Sequence, residues 1–308
     1  MPSSAIKAVL NHVHGQDNAR PARSGAMEPN GETSAETVIG DFDAADELLF
    51  AAETGGLPGL GPVRVQRSGQ IGPLVELVRG HQRYPEAFAS VVLEAPFAAT
   101  IAAALDRDTV TGTEKNAQAG VFPLQRLGAD GERSDLWQLW ASRADQAALT
   151  AGFPARISAE IVGALGELQD NVFRHSEAAR TGLVAFAARP GTFEVVVSDN
   201  GIGVLASLHS HGDYAGIEDA GMALKVAVAD GESRFGRDSG CGFGMGQMFR
   251  ALANHDGDLR FRSDDHALEI RGHSPSLQGR VQLRQKAPLP GLTVSVLCRP
   301  ASVPGRTL

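Results

Sequence analysis

Apolar residues at Ile157, Ile161, Leu165, Leu168 and Val172 recur at helical spacing, which predicts a long helix over 157–175 with one stripe to bury. A helix of that kind needs a layer to lie on. Two apolar runs follow at once, 183–188 and 193–198, split by Pro190-Gly191, and they read as a hairpin. Further on, the pattern predicts a short helix near 221–229, a glycine-rich segment over 236–246, a helix over 245–254, and strands at 259–263, 267–271, 281–284 and 292–298. The second half is expected to be helices on one face of a mixed sheet, a two-layer α+β sandwich over 151–300.

The first half reads differently. Residues 1–40 are rich in Ser, Asn, Gly, Pro and Glu and are expected to form a disordered leader. From 41 to 150 the order is helix (43–52), a Gly/Pro break (55–62), an extended run (63–66), helix (74–80), strand (90–94) and helix (97–105), a small α/β unit. A helix over 135–148, carrying Trp137 and Trp140, connects it to the second half, and Phe153-Pro154 punctuates the boundary. Residues 301–308 form a tail.

Composition narrows the functions. The chain of 308 residues is 43% hydrophobic and 21% charged with net charge −8, which argues against a broad basic surface for nucleic acid. Aromatic residues make up 6% and do not alternate with basic ones, so single-stranded nucleic acid has no platform to stack on. The most apolar stretch, 88–105, is broken by Glu94 and Pro96, and no membrane segment or exported leader is expected. Two cysteines, Cys241 and Cys298, form no CxxC pair, which suits a reducing cytoplasm and gives no cysteine zinc site. None of the four lysines follows a glycine, so a P-loop cannot be written.

Three polar constellations carry chemistry. On the long helix, Glu167, Asn171, Arg174 and His175 share one face. A carboxamide oxygen is a hard neutral ligand for Mg²⁺, and a carboxylate one turn away can orient or deprotonate a nucleophile; an ordinary solvated face has the same look. Asp199-Asn200-Gly201-Ile202-Gly203 follows an apolar strand and sets a carboxylate beside glycines that let a flat ring approach, although such a run is also a common turn. Gly240, Gly242, Gly244 and Gly246 alternate and lead into a helix, so that free N–H groups can cradle phosphate without lysine.

The order of these elements resembles the GHKL ATPases, the superfamily of gyrase, chaperone, histidine-kinase and MutL ATP-binding domains. The likeness covers 158–299. Residues 167–176, ELQDNVFRHS, look like the N box, 199–203 like the first glycine box and 240–245 like the second, and 254–263 is similar to the segment that follows in kinases and anti-sigma factors. The resemblance implies a Bergerat ATP-binding fold with ATP and Mg²⁺ as ligands. In it Asn171 ligates Mg²⁺, Glu167 activates water or a hydroxyl, Asp199 reads the adenine amino group, and Gly201 and Gly203 line the base pocket. Arg174 and His175 lie near phosphate, Gly240, Gly242, Gly244 and Met245 wrap the triphosphate, and 205–239, with Lys225, form a mobile lid.

Within that superfamily the chain is most similar to small signalling members: serine/threonine protein kinases of the anti-sigma, partner-switching type. Residues 63–110 faintly resemble a STAS module. The partners implied are a signalling protein or an anti-anti-sigma-like substrate, with a homodimer as an option. Two alternatives stay open. One is a nucleotide-dependent protein-binding switch without turnover; the other is an atypical histidine kinase whose phosphoacceptor comes from another chain, since His81 lacks the acidic neighbour and flanking helices of an acceptor. His209 and His211 read as lid surface rather than metal ligands.

Overall fold

The computed structural model describes residues 35–57, 61–210, 212–228, 257–271 and 281–300. The first unit is β1 (Glu36–Gly40), α1 (Phe42–Glu53), β2 (Val63–Arg67), α2 (Gly72–Arg83), β3 (Val91–Leu93) and α3 (Pro96–Arg107). The strands are parallel in the order β1-β2-β3, a pairing that needs a crossover, here a helix each time. Asp41 starts α1 by accepting the Ala44 N–H at 2.9 Å, and Pro73 and Pro96 stand in the first turns of α2 and α3, where a missing N–H costs nothing. The expected α/β order is present, with a strand added in front. β1 lies inside the stretch read as leader, because five residues among Ser and Glu show no period; its register against β2, Val38 opposite Val65, defines it. The rest of the leader, 1–34, and the tail, 301–308, lie outside the described residues.

The second unit comprises β4 (Ala119–Pro123), α4 (Asp135–Thr150), α5 (Ala155–His175), β5 (Leu183–Arg189), β6 (Thr192–Ser198), α6 (Gly203–His209), α7 (Ala220–Val228), β7 (Asp258–Arg271) and β8 (Val281–Cys298). Its five-stranded sheet runs β4-β5-β6-β8-β7 with every neighbouring pair antiparallel, which corrects the expected mixed sheet. The hairpin between β5 and β6 turns through Pro190 and Gly191, the glycine at φ 75°. Four strands expected after residue 258 are two long ones: a bulge at 263–266, with Asp264 at φ 51°, kinks β7 without ending it, and β8 runs unbroken from 281 to 298, joining the two runs expected at 281–284 and 292–298. Strand β4 and helix α4 belong to this unit, so residues 119–150 leave the module assigned to 41–150. Phe122, Trp137 and Trp140 share one core cluster with Ile161, Leu165 and Phe193.

The sheet is covered on both faces. Val184, Phe186, Phe193, Val195 and Val197 enter the core beneath α4 and α5, while Leu183, Ala185 and Val196 meet Leu74, Val75 and Val78 of α2 and Ile101 of α3. Helices therefore do not lie on one face only; those of the first unit lie between the two sheets. Burial on both sides explains why β5 and β6 read as unbroken apolar runs.

Charge seals part of this inner contact. Arg260 of β7 donates to both carboxylate oxygens of Glu76 on α2, at 2.8 and 3.1 Å, to Asp46 of α1 at 2.6 Å and to Glu269. Arg262 reaches Asp46 at 2.9 Å and Glu76 at 3.0 Å, and Lys286 reaches Asp46 at 2.5 Å. Three cations thus face three carboxylates, and the pairing offsets the cost of withdrawing them from water.

Candidate functional site

The site is built where three elements meet: the C-terminal end of α5, the end of β6 and the start of α6. On α5 the side chains of Ser158, Ile161, Leu165, Leu168, Gln169 and Val172 are buried, as the periodicity predicts. That fixes the polar stripe outward. Glu167 and Arg174 are exposed, and Asn171 and His175 are half-buried. Helical rise sets Asn171 about 6 Å and Glu167 about 12 Å before His175 along the axis.

The glycine loop docks on the last turn of this helix. The Ile202 N–H donates to the Ser176 carbonyl at 2.9 Å. A Cβ at Gly201 would stand 2.1 Å from that same carbonyl oxygen, and Gly203 adopts φ 74° with the Asp264 carboxylate 2.5 Å from where its Cβ would be. Both glycines are thus required by the chain's own close approaches, a stronger demand than the entry of a ring. Gly291, at φ 79°, gives way in the same manner to the Asp199 carbonyl, 2.1 Å from its would-be Cβ.

Asp199 directly follows β6 and is 3% exposed. Its Oδ1 accepts the Gly201 N–H at 2.7 Å, and its own N–H donates to the Leu292 carbonyl at 2.9 Å. Burial pushes its carboxyl up to about 6, against the Gly201 N–H and the Arg79 guanidinium, which favour the charged form. A carboxylate poised this close to neutrality, held by backbone donors at a loop, can accept a hydrogen bond from an amine that enters. Asp264, across the α6 start, is also raised by burial. Ser263 accepts the Val204 N–H at 3.0 Å and so caps α6.

One part of the expected site is corrected and another is beyond view. Of the mobile lid expected over 205–239, residues 205–210 and 212–228 are described and are packed down: α6 and α7 bury Leu208, Ala223, Leu224, Ala227 and Val228 in the main core, leaving Lys225 exposed, while 229–239 lie outside the described residues. Helix α7 is the short helix expected near 221–229, whereas α6, seven residues long and starting inside the glycine loop, was not expected. Gly240, Gly242, Gly244 and Met245, with Cys241, His211 and the helix read over 245–254, lie outside the described residues. His209 donates through Nε2 to the Ile217 carbonyl at 2.7 Å. Mg²⁺ takes few protein ligands and keeps water and phosphate oxygens; the carboxamide of Asn171 fits that donor set, and among the described residues no group of three or more His, Cys, Asp or Glu makes a cage by itself.

Arg79, Thr181, Ser198 and Ser176 are in the site's frame and escaped sequence reasoning. The Asn200 N–H donates to Thr181 Oγ1 at 2.9 Å, and Arg79 donates to the Thr181 carbonyl at 2.7 Å. A lone arginine inside the apolar helix PLVELVRG was the available signal. No family model, curated protein or solved structure matches the chain.

Proposed function

We propose that the chain binds ATP with Mg²⁺ against α5 and the 199–203 loop and acts as a serine/threonine kinase on a signalling protein. The observation that carries this reading is the buried Asp199 carboxylate at the end of β6, on a glycine loop hydrogen-bonded to the helix that bears Glu167 and Asn171. Asp199 accepts the exocyclic amine of the purine. Asn171 would hold Mg²⁺, whose charge neutralises the phosphates and aligns them for transfer. Arg174 and His175, one turn on, face the same anion, and Glu167 takes the proton of the attacking hydroxyl. The four glycines over 240–246 supply backbone donors to the triphosphate. This is the GHKL arrangement on a Bergerat fold.

One observation favours the switch reading as a second. Glu167 is exposed and makes no hydrogen bond or ion pair among the described residues, whereas a general base is usually held by a neighbour. Calorimetric titration of the full chain with ATP and Mg²⁺ separates the readings. Saturable binding is expected, abolished in Asp199→Ala and weakened in Asn171→Ala, while Glu167→Ala keeps the affinity and loses phosphoryl transfer to a captured partner. Binding that never leads to ADP release with any captured partner assigns the site to a switch, and undiminished binding by Asp199→Ala refutes the site.

A further inference from the structure

Helix α2 belongs to the first unit, yet it runs alongside β6 and is bonded to it at both ends. At its start, the Ile71 and Gly72 N–H groups donate to the two carboxylate oxygens of Glu194 at 2.7 and 2.8 Å. Two turns later Arg79 donates through Nε to Ser198 Oγ at 3.2 Å and through Nη2 to the Ser198 carbonyl at 3.3 Å and the Thr181 carbonyl at 2.7 Å. The spacings agree: eight helical residues rise about 12 Å and four strand residues about 13 Å. Arg79 is 4% exposed. It therefore grips the residue before Asp199 and, through Thr181, the N–H of the residue after it.

We infer that Arg79 is a positioning residue of the purine site, supplied by the first unit: its hydrogen bonds to Ser198 and Thr181 fix the loop that aims Asp199, and its guanidinium sets a positive charge behind that loop. This rests on the reading of Asp199 as the purine-binding group. Among the described residues, the charged side chains that bear on Asp199 are Arg79 from α2, which favours the anion, and Asp264 from β7, which opposes it. No ion pair joins Arg79 to Asp199 directly; the guanidinium acts from behind the strand, where low polarity lets its charge carry. The first unit is thus a structural part of the nucleotide site rather than a tethered module.

The test is the pH dependence of ATP affinity, in Mg²⁺, for the full chain and for R79Q and R79K, from pH 5.5 to 8.5. In the wild type, affinity is expected to fall as pH drops through about 6, where Asp199 gains its proton. In R79Q burial is unopposed and the midpoint rises by about one pH unit, so affinity falls about eightfold at pH 5.5 and about twofold at pH 7, and recovers by pH 8.5. R79K, which keeps the charge, should retain the wild-type midpoint. A wild-type profile in R79Q, or an equal loss at every pH, overturns the inference. Should neither variant fold, S198A decides: its loss of the Nε acceptor is expected to weaken ATP binding about threefold, and unchanged binding overturns it. A wild type that binds no ATP at any pH defeats instead the reading on which the inference rests.

Discussion

The two faces of the five-stranded sheet are closed by different chemistry. On the outer face aromatic rings do the packing: Phe122 meets Trp137 edge-on at 5.1 Å, Trp140 meets Phe186 at 5.1 Å, and Phe186 stacks on Phe193 at 6.1 Å. On the inner face the sheet presents Glu194, Arg260, Arg262 and Glu269, all buried, to the helices of the first unit. The aromatic face is non-directional and needs only shape. The charged face tolerates one partner in one register, because each buried charge must find its counterpart. This difference explains how a small α/β unit can be fixed against the sheet closely enough to send Arg79 to the edge of the candidate site.

Breaking the charged face should have the largest effect. Glu76→Ala leaves Arg260, Arg262 and Lys286 facing only Asp46 and Glu269 and is expected to cost about 3–5 kcal/mol, read from chemical denaturation as one cooperative transition at a lower midpoint. Two transitions would show that the units are only loosely joined.

A pH series sharpens the contrast. Burial lifts the Glu194 carboxyl to about 7 in spite of its three donors, Ile71, Gly72 and Ser295. Because the folded value lies above the unfolded one, the folded state binds the extra proton: this contribution is full below about pH 4.5, declines as pH rises, and levels off above about 7. The loss is on the order of 3 kcal/mol. Asp199, raised to about 6, adds in the same direction, so the comparison is with Glu194→Gln. That variant should begin less stable near pH 5 and close the gap by pH 8. A gap that stays constant contradicts the assignment.

The smallest effect belongs to the aromatic face. Phe122→Leu should cost about 1–1.5 kcal/mol with no dependence on pH or salt, and a salt-dependent loss would erase the distinction between the faces.

The same distinction governs what the sequence discloses. Helix α5 is legible because its apolar residues Ile161 and Leu165 meet one continuous core, and strands β5 and β6 because theirs are buried on both faces, Val184 and Phe193 on one and Ala185 and Val196 on the other. Asp199 and its glycines are legible because local backbone demands fix residue type. The charged face is not legible. Arg260 and Arg262 alternate with Leu259 and Phe261 as they would on a strand with one wet face, and their partners Asp46 and Glu76 lie some 200 residues upstream. Arg79 is hidden for the same reason: its partners Thr181 and Ser198 are set by tertiary packing, with no local spacing to announce them. Strand β4 was missed because AGVFP is short and starts beside glycine, and its place beside β5 comes from pairing Val121 with Ala185.

The central claim is that Asp199 reads a purine amino group. Adenine offers an amine at position 6, and guanine offers a carbonyl oxygen that an ionised carboxylate repels. Competition between ATP and GTP for the full chain, in the wild type and in Asp199→Asn, measures this directly. The account predicts that the wild type prefers ATP by about tenfold or more and that Asp199→Asn, whose amide can turn to donate, loses that preference. Equal binding of the two nucleotides by the wild type, or a preference that survives in Asp199→Asn, would contradict it.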